Sequence, residues 1–205
     1  MRIGVLGTGV VGTTLAGKLR ELGNDVQVGS RDGAKGDGSF ADVTAHGELL
    51  FNCTAGTSSL EALELAGDDN LRGKVLVDVS NPLDFSQGFP PRLSVCNDDS
   101  LGEQIQRRFP DTRVVKALNT IGAPVMVDPA AVADEHSIFV AGDDEDAKGE
   151  VVGVLESMGW SRDRILDLGG IQASRSVEMY VPLWLSLYSR HGSPLVSIKV
   201  VHGDS

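Results

Sequence analysis

The segment Gly7-Thr8-Gly9-Val10-Val11-Gly12 limits the possible folds of this chain more than any other feature. A GxGxxG spacing alone is weak, because glycine is common here. Its context gives it weight. The apolar run at residues 3–6 precedes it directly, and a helical pattern over 11–22 (Val11, Leu15, Leu19, Leu22) follows it. Strand, glycine turn and helix in that order form a phosphate-binding corner. Gly7 permits the tight turn, Gly9 lets backbone approach a pyrophosphate, and Gly12 lets the helix pack close to the strand. The phosphates then meet the free N–H groups and the positive dipole end of the helix.

Beyond the motif, strands and helices alternate. Strands are expected at residues 26–28, 48–54, 74–79, 113–117, 137–141, 165–168 and 196–201. Helices are expected at 40–46, 58–66, 101–109, 143–158 and 174–190, with a glycine-rich loop at 32–39. Continuous apolar strands separated by helices imply a mainly parallel sheet covered on both faces. The expected fold is therefore α/β, Rossmann-type and doubly wound. It forms one domain over residues 1–205, of which about 172–205 is a C-terminal helix–strand extension.

The end of the second strand discriminates between dinucleotides. An NAD site places an acidic residue there for the ribose 2′-OH. This chain has Ser30-Arg31 instead, with Lys35 shortly after. A hydroxyl and a guanidinium suit a 2′-phosphate, which favours NADP, although Asp32 can compete for Arg31. Other strand ends carry Thr54-Ala55-Gly56, Asn81 and Asn119. Small residues at the first let a ribose and nicotinamide lie against backbone. Asn81 and Asn119 can hydrogen-bond a carboxamide or substrate, or serve only as turn and cap residues.

Composition excludes some partners. The net charge of −11 and pI near 4.7 leave no basic patch for nucleic acid or an anionic membrane. Cys53 and Cys96 form no CxxC pair, and the four histidines are scattered, so a zinc or other metal site is not expected. With no signal-peptide pattern and no long apolar run, a cytoplasmic protein is expected. Lys116 and His191 are poor candidates for a general acid, and no catalytic residue can be named. An apolar face on the last helix (Trp184, Leu187, Tyr188) suits core packing or a homodimer.

Several segments carry a family likeness. The N-terminal strand through Gly9, the Val28-Gly29-Ser30-Arg31 strand end and Val114-Val115-Lys116-Ala117-Leu118-Asn119-Thr120-Ile121 resemble the F420-dependent NADP oxidoreductases. The segments at 181–185 and 192–195 resemble the tail of bacterial NADP-binding relatives of that group. The resemblance implies hydride transfer between NADPH and a flat redox partner such as coenzyme F420. It maps phosphate binding onto Thr8, Gly9, Val10 and Val11, and 2′-phosphate recognition onto Ser30, Arg31 and Lys35. It also turns Ala123 toward the cofactor. Two features depart from the family pattern: Val10-Val11 replaces a longer glycine turn, and the segment between Arg31 and Phe40 is short. Two other functions remain open: an NADPH-dependent reductase of a small carbonyl or imine, and a non-catalytic NADP(H)-binding sensor.

Overall fold

A computed structural model describes residues 1–203 of the chain. Strand β1 (Arg2–Leu6) leads into helix α1 (Val10–Glu21), then β2 (Asp25–Ser30), β3 (Gly38–Ser39), α2 (Phe40–His46) and β4 (Leu49–Asn52). Helices α3 (Ser59–Ala66) and α4 (Asp68–Leu71) precede β5 (Val75–Asp78). A short hairpin, β6 (Leu83–Asp84) and β7 (Arg92–Leu93), leads to α5 (Leu101–Arg108) and β8 (Arg113–Ala117). The remaining elements are α6 (Ala123–Val127), β9 (Ile138–Ala141), α7 (Glu145–Ser157), β10 (Ile165–Asp167), α8 (Ser174–Met179) and α9 (Val181–His191).

The main sheet has the order β10-β9-β8-β5-β4-β1-β2-β3. Every pairing in it is parallel except β8 with β9. The chain winds outward from β1 to β3 and then crosses back to β4 on the other side of β1. That reversal leaves a crevice beyond the C-terminal ends of β1 and β4, where ligands of open α/β sheets bind. The architecture is the expected Rossmann-type α/β sheet.

Alternation along the strands divides the core in two. Ile3, Val5, Leu49, Phe51, Val75 and Val77 pack with side chains of α1, α6 and α7. Leu6, Leu50, Leu76 and Val114 pack with α2, α3 and α5 on the opposite face. Each aliphatic side chain buried this way contributes about 1.5–3 kcal/mol.

Three expectations need correction. The helix expected at 174–190 is divided into α8 and α9, because Pro182 has no N–H to return to residue 178. The strand expected at 196–201 does not form. The segment meets Ser137, just before β9, through one backbone bond and one side-chain bond, which make no ladder: Ser137 N donates to the Ile198 carbonyl (2.8 Å), and Val200 N donates to Ser137 Oγ (3.1 Å). The extension is therefore helical, without a strand, and residues 204 and 205 of it lie outside the described residues. The glycine-rich loop expected at 32–39 ends in a short strand instead, since β3 pairs in parallel with Gly29 and Ser30.

Candidate functional site

Two cavities lie side by side in the crevice. One, of about 300 Å³, runs from Gly7, Thr8 and Gly9 to Ser30 and Arg31. The other, of about 460 Å³, runs from Val11 to Ser80, Asn81 and the β6 hairpin, where Phe85 lies. They share Cys53, Thr54 and Ala55, so together they form one elongated cleft across the ends of β1, β4 and β5. A larger cavity of about 620 Å³ lies elsewhere, beside α5. Its charged groups are engaged within the protein: Arg107 pairs with Asp99, and Glu103 with Arg175.

The three motif glycines have different neighbours. Gly7 sits at φ +120°, where L side chains are strained, and a Cβ there would come within 2.7 Å of the Cys53 carbonyl. A Cβ on Gly12 would lie 2.0 Å from the Gly7 carbonyl. The protein's own backbone therefore explains both. At Gly9 the same construction meets nothing within 4 Å, and the backbone is extended. Gly9 is also the N-cap of α1 and supplies no side-chain cap, so the first-turn N–H groups find no side-chain acceptor there. The loop thus has an uncapped helix dipole beside space that only a missing side chain keeps open. Val10 is 75% exposed above the cleft, and Val11 lines it.

At the β2 end, the Ser30 oxygen accepts from Lys35 N (3.1 Å), which leaves the hydroxyl proton free to donate outward. Arg31 is exposed and pairs with Glu61 at 3.4 Å, not with Asp32, whose carboxylate instead accepts from Ala34 N. Lys35 is exposed on the loop and lines neither cavity.

At the other end, Asn81 and Asn119 bond each other. Asn81 Nδ2 donates to the Asn119 carbonyl and Asn119 Nδ2 to Asn81 Oδ1, both at 2.9 Å. Asn119 Nδ2 also donates to the Val177 carbonyl (3.2 Å). Asn119 is buried, caps no helix and lines neither cavity, whereas Asn81 lines the larger one. Gly56 owes its lack of a side chain to the Asn81 carbonyl, 1.9 Å from where its Cβ would stand. Ala123 starts α6 and is buried in the core cluster, lining neither cavity.

A polar row escapes the sequence pattern. Lys116, Asp78 and Asn52 are register partners across β8, β5 and β4. Lys116 Nζ donates to Asp78 Oδ2 (2.8 Å), to Glu178 Oε1 (2.7 Å) and to the Ser80 carbonyl (2.7 Å), using all three of its protons. Asp78 Oδ1 accepts from Asn52 Nδ2 (2.9 Å) and Ser80 Oγ (2.6 Å). Thr54 Oγ1 donates to Asn52 Oδ1 (2.7 Å). Burial draws the Lys116 pKa down, but the Asp78 and Glu178 carboxylates outweigh it and hold it above the ordinary lysine value. Lys116 therefore stays charged and is not a proton donor near neutrality. His191 ends α9 on the exposed surface. Burial first, and then Asp78, pushes the Cys53 thiol far up, away from thiolate chemistry.

Among the described residues, no cluster of His, Cys, Asp or Glu could hold a metal ion, and no helix is long and apolar enough to cross a membrane.

No family model matches the chain. It is 30% identical to the F420-dependent NADP reductase of Methanothermobacter marburgensis, over 98% of this chain and 99% of that protein. It is 33% identical to the rat metalloreductase STEAP3 over 90% of this chain, which spans only 37% of that protein. A crystal structure from Arthrobacter sp. FB24, provisionally described as an F420-dependent NADP reductase, superposes with a TM-score of 0.93 at 46% identity, covering 98% of this chain and all of that one.

Proposed function

Since this chain belongs to the family of F420-dependent NADP reductases, we propose that it is an NADP-dependent oxidoreductase that moves a hydride between NADPH and a flat acceptor such as coenzyme F420. The observation that carries this reading is the continuous cleft at the strand reversal. It has an uncapped helix N-terminus at its middle and a guanidinium at one end.

The residues fit an NADP molecule. The open space over Gly9 and the first-turn N–H groups from Val10 onward suit the pyrophosphate. Ser30 donates and Arg31 offers its fork to the 2′-phosphate, with Lys35 adding charge from the loop. Thr54, Ala55 and Gly56 form the floor, and Asn81 the far wall, of the cavity for the nicotinamide half. Asn119 acts from behind that wall, bonded to Asn81, and Ala123 from the buried start of α6. NADPH, when bound, supplies the hydride from its nicotinamide ring. The chain's part is orientation and exclusion of water, which is most of what such a transfer needs from a protein. This agrees with the titratable groups lining the cleft: burial pushes the Cys53 thiol far up, and the bonds from Ser86 hold the Asp84 carboxyl below its usual range, so neither is a ready proton donor.

The whole chain serves in this reading as one NADP-binding domain, with residues from about 172 as an extension. Its setting is the cytoplasm, and its assembly a homodimer through the α9 face of Trp184, Leu187 and Tyr188. A monomer mass by light scattering at micromolar concentration would rule out the dimer. The central test is to mix the protein with NADPH and oxidised F420 and follow the pyridine absorbance. Loss of absorbance is expected, and no turnover despite tight NADPH binding would refute the oxidoreductase reading.

A further inference from the structure

We propose that the buried Lys116–Asp78–Glu178 ion network, together with Asn119, positions the nicotinamide-end wall of the cleft and ties that wall to helix α8. The inference rests on the cofactor reading above and deepens it.

Two parallel links run from adjacent residues of α8 to adjacent residues of the wall. In the first, Glu178 Oε1 accepts from Lys116 Nζ, and Lys116 donates to the Ser80 carbonyl and to Asp78. Asp78 in turn accepts from the Ser80 hydroxyl, and through Asn52 it fixes Thr54, so both sides of the larger cavity hang on one ammonium. In the second, the Val177 carbonyl accepts from Asn119 Nδ2, which also donates to Asn81. Leu118 lies in the left-handed region, at φ 65°, immediately before Asn119. A branched residue adopts that conformation only when its surroundings impose it, and here it delivers Asn119 to both partners.

The network is costly, which argues against a passive role. Three charges lie at 0–1% exposure, and the group carries two carboxylates to one ammonium. Glu178 is made tolerable by the N–H groups of Leu101 (2.8 Å) and Gly102 (3.0 Å) at the start of α5. An apolar trio of similar volume could fill this space without loss of stability. It could not hold the Ser80 carbonyl and the Thr54 and Ser80 hydroxyls in fixed directions. None of Lys116, Glu178 or Asn119 lines the cleft, so each is a positioning residue.

The test separates the two halves of the cleft with two ligands. NADPH spans the whole cleft, whereas 2′,5′-ADP occupies only the Gly9–Arg31 end. Glu178→Gln removes the charge that anchors Lys116 to α8 and puts an amide donor against the Leu101 or Gly102 N–H. The expected result is NADPH binding weakened at least tenfold, 2′,5′-ADP binding unchanged, and emission from bound NADPH reduced toward that of the free coenzyme. Unchanged binding of both ligands, or equal weakening of both, would overturn the proposal. If Glu178→Gln does not fold, Ser80→Ala, which cuts the same chain at its far end, is judged by the same readouts. Wild-type protein that binds neither ligand would refute the cofactor reading, and this inference with it. Failure of the network alone is recognised by a wild type that binds both.

Discussion

Replacing Gly9 by alanine should weaken cofactor binding substantially while leaving the fold almost untouched. Gly9 has φ −75° and ψ −179°, a conformation open to any residue, and a Cβ built there meets no atom within 4 Å. Losing glycine as N-cap costs about 0.5–1 kcal/mol. The restriction of the unfolded chain by alanine offsets about 0.4–1 kcal/mol of that. The net change stays within about 0.5 kcal/mol, or roughly 1–2 °C in Tm for a chain of this size. Binding responds differently. A phosphate oxygen within hydrogen-bond reach of the first-turn N–H groups leaves no room for the methyl. Displacing it forfeits at least one charge-assisted bond, about 1.5–3 kcal/mol, which is roughly a 10- to 150-fold rise in Kd. NADPH and NADH should lose equally, because they share the pyrophosphate, and valine should abolish both. Gly12→Ala is the contrast, since its Cβ would stand 2.0 Å from the Gly7 carbonyl. Overpacking against backbone costs about 3 kcal/mol or more, and Tm should fall by roughly 6–12 °C. Calorimetric titration and scanning calorimetry on both variants read these quantities. Wild-type affinity in Gly9→Ala, or a melting temperature as low as that of Gly12→Ala, would refute the reasoning.

Arg31→Glu should weaken NADPH much more than NADH, because it turns a cation toward which a 2′-phosphate points into an anion; equal losses in titration would remove Arg31 from phosphate recognition. The Glu103 carboxyl is held below its usual range first by the hydrogen bond from Arg175 and then, against burial, by Ser100. A depressed folded pKa stabilises above the unfolded value, about 4.3, and is lost as pH falls. Arg175→Met should therefore be less stable than wild type above about pH 5, with the gap closing below about pH 3. A gap that does not change with pH in urea melts would contradict this. Of the two free cysteines, exposed Cys96 should react rapidly with a thiol reagent, and half-buried Cys53 slowly, more slowly still with NADPH bound, because Cys53 lines both cavities. Equal rates for the two thiols would contradict the burial of Cys53.

Much of the fold was legible because the strands are short, apolar and buried on both faces. Residues 3–6, 49–52, 75–78 and 113–117 give themselves away by composition alone. The structure closes the start of α2 with a Ser39–Asp42 capping box and that of α7 with Asp144 accepting from Ala147 N. What was missed is either too short to show a period or decided by tertiary context. Helix α6 is a single turn opened by Pro124, and β6 and β7 have two residues each. The strand expected at 196–201 has β propensity, but it meets Ser137 ahead of β9 and forms no ladder. Propensity without a partner strand makes no sheet.

The site divides along the same line. Gly7, Gly9, Gly12, Ser30 and Arg31 could be proposed from the sequence because the corner they form is a local object: all its parts lie within one β–α–β passage. Lys116 was not. In the run Val114-Val115-Lys116-Ala117 a lysine reads as an interruption, and nothing nearby in sequence announces a carboxylate. Its partners are Asp78, brought alongside by the register of β5 with β8, and Glu178, brought by the docking of α8 against α5. Both pairings belong to the assembled sheet. Asn119 has the same origin: it resembles a turn residue until Asn81 and Val177 are placed around it. The segment 114–121 is where the family likeness was most specific, and it supplies no atom to the cleft wall. Two of its residues, Lys116 and Asn119, bond Ser80 and Asn81 from behind. A motif of that kind fixes the shape of a site rather than its chemistry. In the proposed reading, the hydride acceptor meets residues that face the open side of the cavity, such as those of the β6 hairpin, and not the strands beneath it.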